Sequence, residues 1–134
     1  MNTNYILWAD DDMDDLMLMR TVLEEMGETY DIREVNNGKE ALDYLETSKN
    51  ASDLPSLIIL DMNMPVVNGK EALSVIKKDE SLKQIPVVFF TTSSSELDKM
   101  FCQRYGVKMI TKPPNYRNLK EAVKMLLEDY LNKN

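Results

Sequence analysis

The chain of 134 residues contains no histidine and a single cysteine, and glycine and proline are scarce, at four and five residues. Without histidine it has no imidazole general base, no histidine-ligated zinc and no phosphohistidine, so any phosphoryl chemistry must use oxygen atoms. The single cysteine, Cys102, cannot form an internal disulfide, and we interpret it as a packing residue of a helix. The N-terminal residues lack the basic region and the apolar stretch of a secretory signal, so we expect a reducing, cytoplasmic location.

Long hydrophobic runs and positive charge are also lacking. No segment approaches the roughly 20 apolar residues that a membrane span requires. Lysine and arginine number 16 against 23 acidic residues, which gives a net charge of −7. Because the lysines are also scattered, we expect protein or metal partners and no direct binding to nucleic acid or membrane. At this length we expect one domain, residues 1–134, with no room for a second.

Five times along the chain, a short apolar run is followed by a segment whose apolar residues recur at helical spacing. The predicted strands are Tyr5–Ala9, residues 30–35, Leu57–Leu60, residues 87–90 and residues 107–110. Each strand is followed by apolar residues at three- and four-residue spacing, and residues 47–55 are assigned to a polar loop. This alternation predicts an α/β fold, an open, doubly wound, five-stranded parallel sheet with helices on both faces.

Polar and charged residues follow four of the predicted strands. Asp10 and Asp11 follow the first strand, Asp61 follows the third, Thr91 the fourth and Lys112 the fifth. The carboxyl ends of parallel strands lie at one edge of the sheet, which is where ligands of doubly wound folds bind. We therefore expect acids, a hydroxyl and an ammonium to converge on one crevice.

The residue types in this crevice predict phosphoryl chemistry with a magnesium ion. Mg²⁺ prefers oxygen ligands, which the carboxylates of Asp11 and Asp61 and the backbone carbonyl of Asn63 can supply. An aspartate carboxylate such as that of Asp61 can attack phosphorus and form an aspartyl phosphate when cations neutralise the transferring oxygens. Lys112 and Thr91 offer an ammonium and a hydroxyl donor for such oxygens.

The other acids of the first cluster have simpler interpretations. Asp14 and Asp15 are interpreted as the negatively charged start of a helix, which the helix dipole favours. A calcium-binding loop counted from Asp10 would need glycine at its sixth position and glutamate at its twelfth, where Asp15 and Thr21 stand. The cluster therefore does not match a calcium loop.

The joint order of these motifs resembles the receiver domain of two-component response regulators. The matching stretches are residues 6–12, 57–65 with Gly69, 86–91 and 111–113, and the resemblance extends to about residue 127. It implies a flavodoxin-like sheet with the strand order 2-1-3-4-5. The roles that it implies are phosphoacceptor for Asp61, Mg²⁺ ligands for Asp10, Asp11, Asp61 and the Asn63 carbonyl, switch hydroxyl for Thr91, and phosphate-pairing lysine for Lys112.

Receivers of this kind take a phosphoryl group from the histidine of a sensor kinase or a phosphotransfer protein. They catalyse their own phosphorylation and dephosphorylation and are not enzymes for another substrate. The missing histidine is compatible with this role, because the donor histidine lies on the partner. We expect a stand-alone switch without an output domain that signals by protein binding. Residues 76–86 and 91–93 are similar to the subgroup that includes cyanobacterial phytochrome response regulators.

Three positions depart from the pattern of that family. Met109 stands where many receivers carry an aromatic switch residue, and we assign the switch role to its flexible thioether, together with the Thr91 hydroxyl. Thr92 stands where alanine is frequent, and Pro114 stands where an aromatic residue is common. The bond before Pro113 is a candidate cis bond, which would turn the preceding lysine sharply back into the site.

Rival functions fit the sequence less well. Phosphatases of the haloacid dehalogenase type need an aspartate two residues after the nucleophile, where this chain has Asn63. Flavodoxin-like carriers of FMN bind phosphate after the first strand, where this chain has acids. A pseudo-receiver that is never phosphorylated is disfavoured because every expected polar residue is present.

The last predicted helix carries apolar residues on more than one side. They include Tyr116, Met125 and Tyr130. Apolar residues beyond those that one core can bury often mark a protein interface. A homodimer is therefore a further hypothesis for this chain.

Overall fold

The computed structural model describes residues 5–27 and 31–131. Within them five strands form the sheet: β1 (Tyr5–Ala9), β2 (Asp31–Val35), β3 (Leu57–Leu60), β4 (Val87–Thr91) and β5 (Lys108–Thr111). All pairs are parallel, and the order is β2-β1-β3-β4-β5. The predicted fold class and strand order are confirmed. The fourth strand includes Thr91, the fifth begins and ends one residue later than predicted, and residue 30 lies outside the described residues.

Helices cover both faces of this sheet. In the described residues they are α1 (Met13–Glu25), α2 (Gly38–Asn50), α3 (Gly69–Lys78), α4 (Glu96–Tyr105) and α5 (Tyr116–Leu131). One face packs against α1 and α5 around Trp8 and Phe90, whose rings meet edge to face at 5.7 Å. The other face packs against α2, α3 and α4 around Leu60 and Phe89. Cys102 of α4 is buried in this second core, as predicted.

Burial on both faces explains the composition of the strands. All residues of β1, β3 and β4 are buried, whereas the edge strands β2 and β5 are partly exposed. A central parallel strand has no solvent face, so its sequence is continuously apolar and does not alternate. None of the helices in the described parts of the chain is both long and apolar enough to cross a lipid bilayer.

Capping residues set several helix boundaries. The Asn68 side chain accepts a hydrogen bond from the Glu71 N–H, and the Glu71 carboxylate accepts one from the Asn68 N–H, both at 3.0 Å. This reciprocal pair starts α3. Gly106 ends α4 in the left-handed conformation, with φ 66°. Asn115, directly before α5, accepts a hydrogen bond from the Asn118 N–H at 3.2 Å and so caps this helix.

Helix α2 is longer than the sequence predicted. The predicted loop began at residue 47, but residues 47–50 are helical. Ser48 is buried and accepts a hydrogen bond from the Tyr5 hydroxyl at 3.1 Å. The Thr47 hydroxyl donates to the Asp43 carbonyl at 3.2 Å. Because one hydroxyl pairs with β1 and the other within the helix, polar residues continue α2 beyond the end that its hydrophobic pattern indicates.

Gly69 starts α3 directly against the end of β3, and we expect Gly69→Ala to disrupt this contact. A Cβ atom there would collide with the Asp61 carbonyl oxygen and lie 2.8 Å from the Phe89 ring. The free energy of unfolding should fall by about 3 kcal/mol or more, because rigid backbone would have to move. Gly106→Ala is the control, since its Cβ meets open space and only its φ of +66° is unfavourable, by about 1–2 kcal/mol. Urea unfolding of both variants tests this. A loss for Gly69→Ala no larger than that of the control would contradict it.

Candidate functional site

Three strand ends place the backbone of the predicted site. Asp10 directly follows β1, Asp61 follows β3 and Lys112 follows β5. The Asp61 N–H donates to the Ala9 carbonyl at 3.1 Å, and the Lys112 N–H donates to the Thr91 carbonyl at 2.6 Å. These hydrogen bonds extend the ladders past the last strand residues. The side chains of Asp10, Asp61 and Lys112 therefore start from a rigid edge of the sheet, and the two acids meet at the lysine ammonium.

The Lys112 ammonium lies among three carboxylates. Its Nζ atom is 2.6 Å from Asp15 Oδ2, 2.8 Å from Asp10 Oδ2 and 3.2 Å from Asp61 Oδ2. All four side chains are buried. A lysine ammonium has three N–H donors, so three carboxylates match its hydrogen-bonding capacity. The site therefore contains a buried ion cluster in which three carboxylates share one ammonium, so each charge depends on the others.

Burial and pairing act in opposite directions on the charges of this cluster. Burial raises the pKa of Asp10 to about 6, although the Lys112 ammonium and the Asp12 N–H at 2.9 Å favour its charged form. Burial lowers the pKa of Lys112, but its hydrogen bonds to Asp10 and Asp15 outweigh that effect, and the net shift is upward. Lys112 is therefore charged at neutral pH, and Asp10 loses its proton just below neutral pH.

Asp10, Asp11 and Asp61 form a group that fits a divalent cation. Each carboxylate offers one oxygen, and these oxygens lie within 4.8 Å of one another. Asp11 is exposed while the other two acids are buried, so the group opens to solvent on one side. Oxygen ligands favour a hard cation such as Mg²⁺ or Mn²⁺. The Asn63 N–H donates to Asp61 Oδ1 at 3.3 Å, and the role of the Asn63 carbonyl as a ligand stays a prediction.

The predicted switch hydroxyl is tied to the segment that follows it. Thr91 is buried at the end of β4, and its Oγ1 accepts a hydrogen bond from the Ser93 N–H at 3.3 Å. The Ser93 hydroxyl donates to one carboxylate oxygen of Asp98, and Lys70 pairs with the other. The Lys70 ammonium and the Ser93 hydroxyl lower the pKa of Asp98. Thr91 is thereby connected to both α3 and α4.

Asp15 is the site residue that the sequence analysis missed. It was interpreted together with Asp14 as an acidic helix start. Asp14 is exposed, but Asp15 is buried and makes the shortest contact of the Lys112 ammonium. The sequence contained a signal for this, because Asp15 lies four positions before the buried Met19 and eight before the buried Leu23, on the same helix face. A buried charge at such a position requires a partner.

Two predictions near β5 have different outcomes. No cis peptide bond occurs in residues 5–27 or 31–131, so the prediction of a cis bond before Pro113 is wrong. A trans bond is sufficient because Lys112, held to the Thr91 carbonyl by its N–H, already reaches the acids. Met109 lies partly buried in β5 and pairs in register with Phe89 of β4. Its role in switching stays a prediction.

Comparison with known families identifies the domain. The model of the response regulator receiver domain family matches residues 6–124. The chain belongs to this family. The match begins in β1 and ends in α5, so it includes all strands of the described sheet and every predicted site residue.

Individual receiver proteins match over most of their length. The probable methanogenesis regulatory protein FilR2 of Methanothrix harundinacea is 36% identical over 128 residues, which are 94% of this chain and 83% of FilR2. Response regulator Rcp1 of Synechocystis sp. is 35% identical over 124 residues, which are 90% of this chain and 82% of Rcp1. These matches confirm the predicted resemblance to response regulators.

Solved structures of cyanobacterial response regulators have the same fold. The Mn²⁺-bound structure of Rcp1 gives a TM-score of 0.90 at 30% identity, covering 98% of this chain and 96% of that one. The structure of the phosphorylated cyanobacterial phytochrome response regulator RcpA gives a TM-score of 0.89 at 33% identity, covering 96% of this chain and 94% of that one. The predicted similarity to the phytochrome subgroup is confirmed.

In this receiver domain, Lys112→Met should leave three buried carboxylates without their shared cation. We expect the free energy of unfolding in metal-free buffer to fall by about 3 kcal/mol or more, because breaking a buried ion pair leaves charge uncompensated. Millimolar Mg²⁺ should restore part of the loss by supplying positive charge. Urea unfolding with and without Mg²⁺ measures both effects.

Lys120→Met is the matched control for this experiment. Lys120 pairs with Glu25 at 2.8 Å on the surface between α1 and α5, where solvent screens the pair. We expect little change in stability and no rescue by Mg²⁺. Equal losses for the two variants would contradict the compensating role of Lys112.

Proposed function

We propose that this receiver domain accepts a phosphoryl group on Asp61 in a Mg²⁺-dependent reaction. The donor is the phosphohistidine of a sensor histidine kinase or a histidine phosphotransfer protein. The domain catalyses only its own phosphorylation and dephosphorylation, and it signals by phosphorylation-dependent binding to a protein target. The observation that carries the proposal is the buried Asp61 carboxylate at the end of the central strand β3, 3.2 Å from the Lys112 ammonium and beside two further acids.

Phosphoryl transfer makes one bond and breaks one. A carboxylate oxygen of Asp61 bonds to phosphorus while the phosphorus–nitrogen bond of the donor breaks, and the imidazole keeps the electron pair of that bond. Lys112 already contacts Asp61 and pairs with a phosphoryl oxygen, and Thr91 donates its hydroxyl to another. The Asn63 N–H, 3.3 Å from Asp61 Oδ1, orients the attacking carboxylate.

The acids of the site hold the metal ion in this proposal. Asp10, Asp11 and Asp61 supply carboxylate oxygens, and Asn63 supplies its backbone carbonyl. Bound Mg²⁺ neutralises charge on the transferring phosphoryl oxygens. The oxygens of the three carboxylates lie close enough together to bind one ion, which supports this assignment, as does the Mn²⁺ ion in the structure of Rcp1. With a pKa of about 6, Asp10 is ionised at neutral pH and available as a ligand.

The conformational signal would start at Thr91. A phosphoryl group on Asp61 adds negative charge that attracts the Thr91 hydroxyl and the Lys112 ammonium. Moving Thr91 loosens its hydrogen bond with the Ser93 N–H, and Met109 in the neighbouring strand then repacks where other receivers move an aromatic ring. The face made by α4, β5 and α5 changes shape, and the equilibrium shifts towards the form that binds the protein target.

Intact mass spectrometry tests the phosphoacceptor. With Mg²⁺ and acetyl phosphate we expect one phosphoryl adduct on the wild type and none on Asp61→Asn, because the amide is not a nucleophile for phosphorus. A chelator should abolish the adduct. Asp14→Asn is the matched control, since it removes an exposed acid near the site and should keep the adduct.

Two outcomes would contradict the proposed reaction. An adduct that persists in Asp61→Asn would assign the acceptor to another residue. A wild type that forms no adduct and also fails to bind beryllofluoride, a phosphoryl mimic, would be a pseudo-receiver.

We also propose that the domain forms a homodimer through one side of α5. Tyr116 and Met125 are 66% and 62% exposed, but nine positions separate them, which places them on opposite sides of the helix. Tyr130 is partly buried against the core beneath α1 and α5. Met125 is therefore the exposed apolar residue that we assign to the interface, whereas Tyr116 borders the groove between α1 and α5.

Sedimentation velocity with and without beryllofluoride tests the dimer. We expect a dimer in the presence of the mimic, and we expect Met125→Lys to be a monomer because it places a charge in the interface. Tyr116→Lys, the equivalent change on the opposite side of α5, should remain dimeric. A wild type that is monomeric in both states would remove the dimer from the proposal.

A further inference from the structure

Asp15 contacts the Lys112 ammonium more closely than the two acids expected at the reaction centre do. The distance is 2.6 Å to Asp15, against 2.8 Å to Asp10 and 3.2 Å to Asp61. Asp15 approaches from the first turn of α1, and its side chain is only 9% exposed. The lysine is therefore held between a helix on one face of the sheet and the strand ends.

Asp15 differs from its neighbours in what else can engage it. Among the described residues, the acids whose oxygens converge on a cation position are Asp10, Asp11 and Asp61, and Asp15 is not one of them. A metal ion and a phosphoryl group would occupy the oxygens of Asp10 and Asp61. Neither ligand would use the oxygens of Asp15, so its contact with Lys112 is the one of the three that both ligands would leave free.

We propose that Asp15 is a positioning residue that anchors Lys112 and limits how tightly its ammonium pairs with a phosphoryl group on Asp61. This inference rests on the proposed function. The three N–H donors of Lys112 are matched by three carboxylates, so a phosphoryl oxygen gains a donor only when one of these contacts weakens. While Asp15 neutralises part of the lysine charge, the pull on the phosphoryl group is reduced.

The negative charge of Asp15 weakens binding of the phosphoryl group but should strengthen binding of the metal ion. Lys112 pairs with Asp10 and Asp61, two of the proposed metal ligands, so a cation must compete with it for their oxygens. Asp15 draws the ammonium towards α1 and adds negative charge nearby, so it favours the metal. Removing the charge of Asp15 should therefore weaken Mg²⁺ binding and strengthen binding of the phosphoryl group. A variant that merely loosened the fold would weaken both.

Calorimetric titrations of Asp15→Asn measure the two effects separately. We expect the dissociation constant for Mg²⁺ to rise about tenfold, and that for beryllofluoride at saturating Mg²⁺ to fall about tenfold, because charges in one network are coupled to this extent. Asp15→Ser is a second neutral variant for the case that the asparagine disturbs α1. Asp15→Glu keeps the charge and should retain both wild-type affinities within about threefold.

Asp14→Asn is the matched control, because it removes the same charge from the same helical turn at an exposed position. It should leave both affinities unchanged. Beryllofluoride binding that is weaker or unchanged in both Asp15→Asn and Asp15→Ser, with a wild type that binds it, would overturn the anchoring role alone. A wild type that binds no beryllofluoride with Mg²⁺ would overturn the proposed function and this inference with it.

Discussion

The buried Lys112 ammonium is the interaction on which the site depends. Parallel strands bring the acids after β1 and β3 to the same edge, and carboxylates so close to one another repel when ionised. The helices that cover the sheet also remove them from water, which raises the cost of each charge. Contacts of 2.6–3.2 Å with Asp10, Asp15 and Asp61 offset that cost only while the lysine stays charged and in place. The cluster is nevertheless not neutral, because one ammonium faces three carboxylates.

An excess of negative charge decides which ligands the receiver can take. The Lys112 ammonium contacts three carboxylates, those of Asp10, Asp15 and Asp61, and a fourth, that of Asp11, lies beside Asp10 and Asp61. A dication relieves most of that excess, whereas a phosphoryl group alone would increase it. In the proposed reaction the metal ion would therefore bind before a dianionic group approaches Asp61. In that proposal, phosphorylation of Asp61 restores an excess of negative charge, to which the Lys112 ammonium and the Thr91 hydroxyl respond.

The sequence predicted those parts of the structure that depend on the order of strands and helices, and not those that depend on how a helix is rotated about its axis. Asp10, Asp61 and Lys112 converge because each directly follows a parallel strand, and Thr91 ends the strand between them; this holds whatever the helices do. Asp15 was misinterpreted because its environment depends on the rotation of α1 about its axis, which the first turn of a helix specifies weakly. The end of α2 depends on a tertiary hydrogen bond that strand and helix patterns do not contain, and the bond before Pro113 has the trans form that X–Pro bonds ordinarily adopt.

Tertiary hydrogen bonds also determine how far a change at the site can spread. The Thr91 carbonyl accepts from the Lys112 N–H, so the ends of β4 and β5 are joined at the site itself. Beyond Thr91, the Ser93 carbonyl accepts from the Thr111 hydroxyl at 3.0 Å, and the Ser93 hydroxyl donates to Asp98 of α4. A displacement of Thr91 therefore acts on Ser93, which contacts both α4 and β5. In this proposal the hydrogen-bonded segment around Ser93 carries the displacement, so the switch needs no large side chain between the site and its output face. Met109, at the position where many receivers have an aromatic residue, is therefore compatible with signalling.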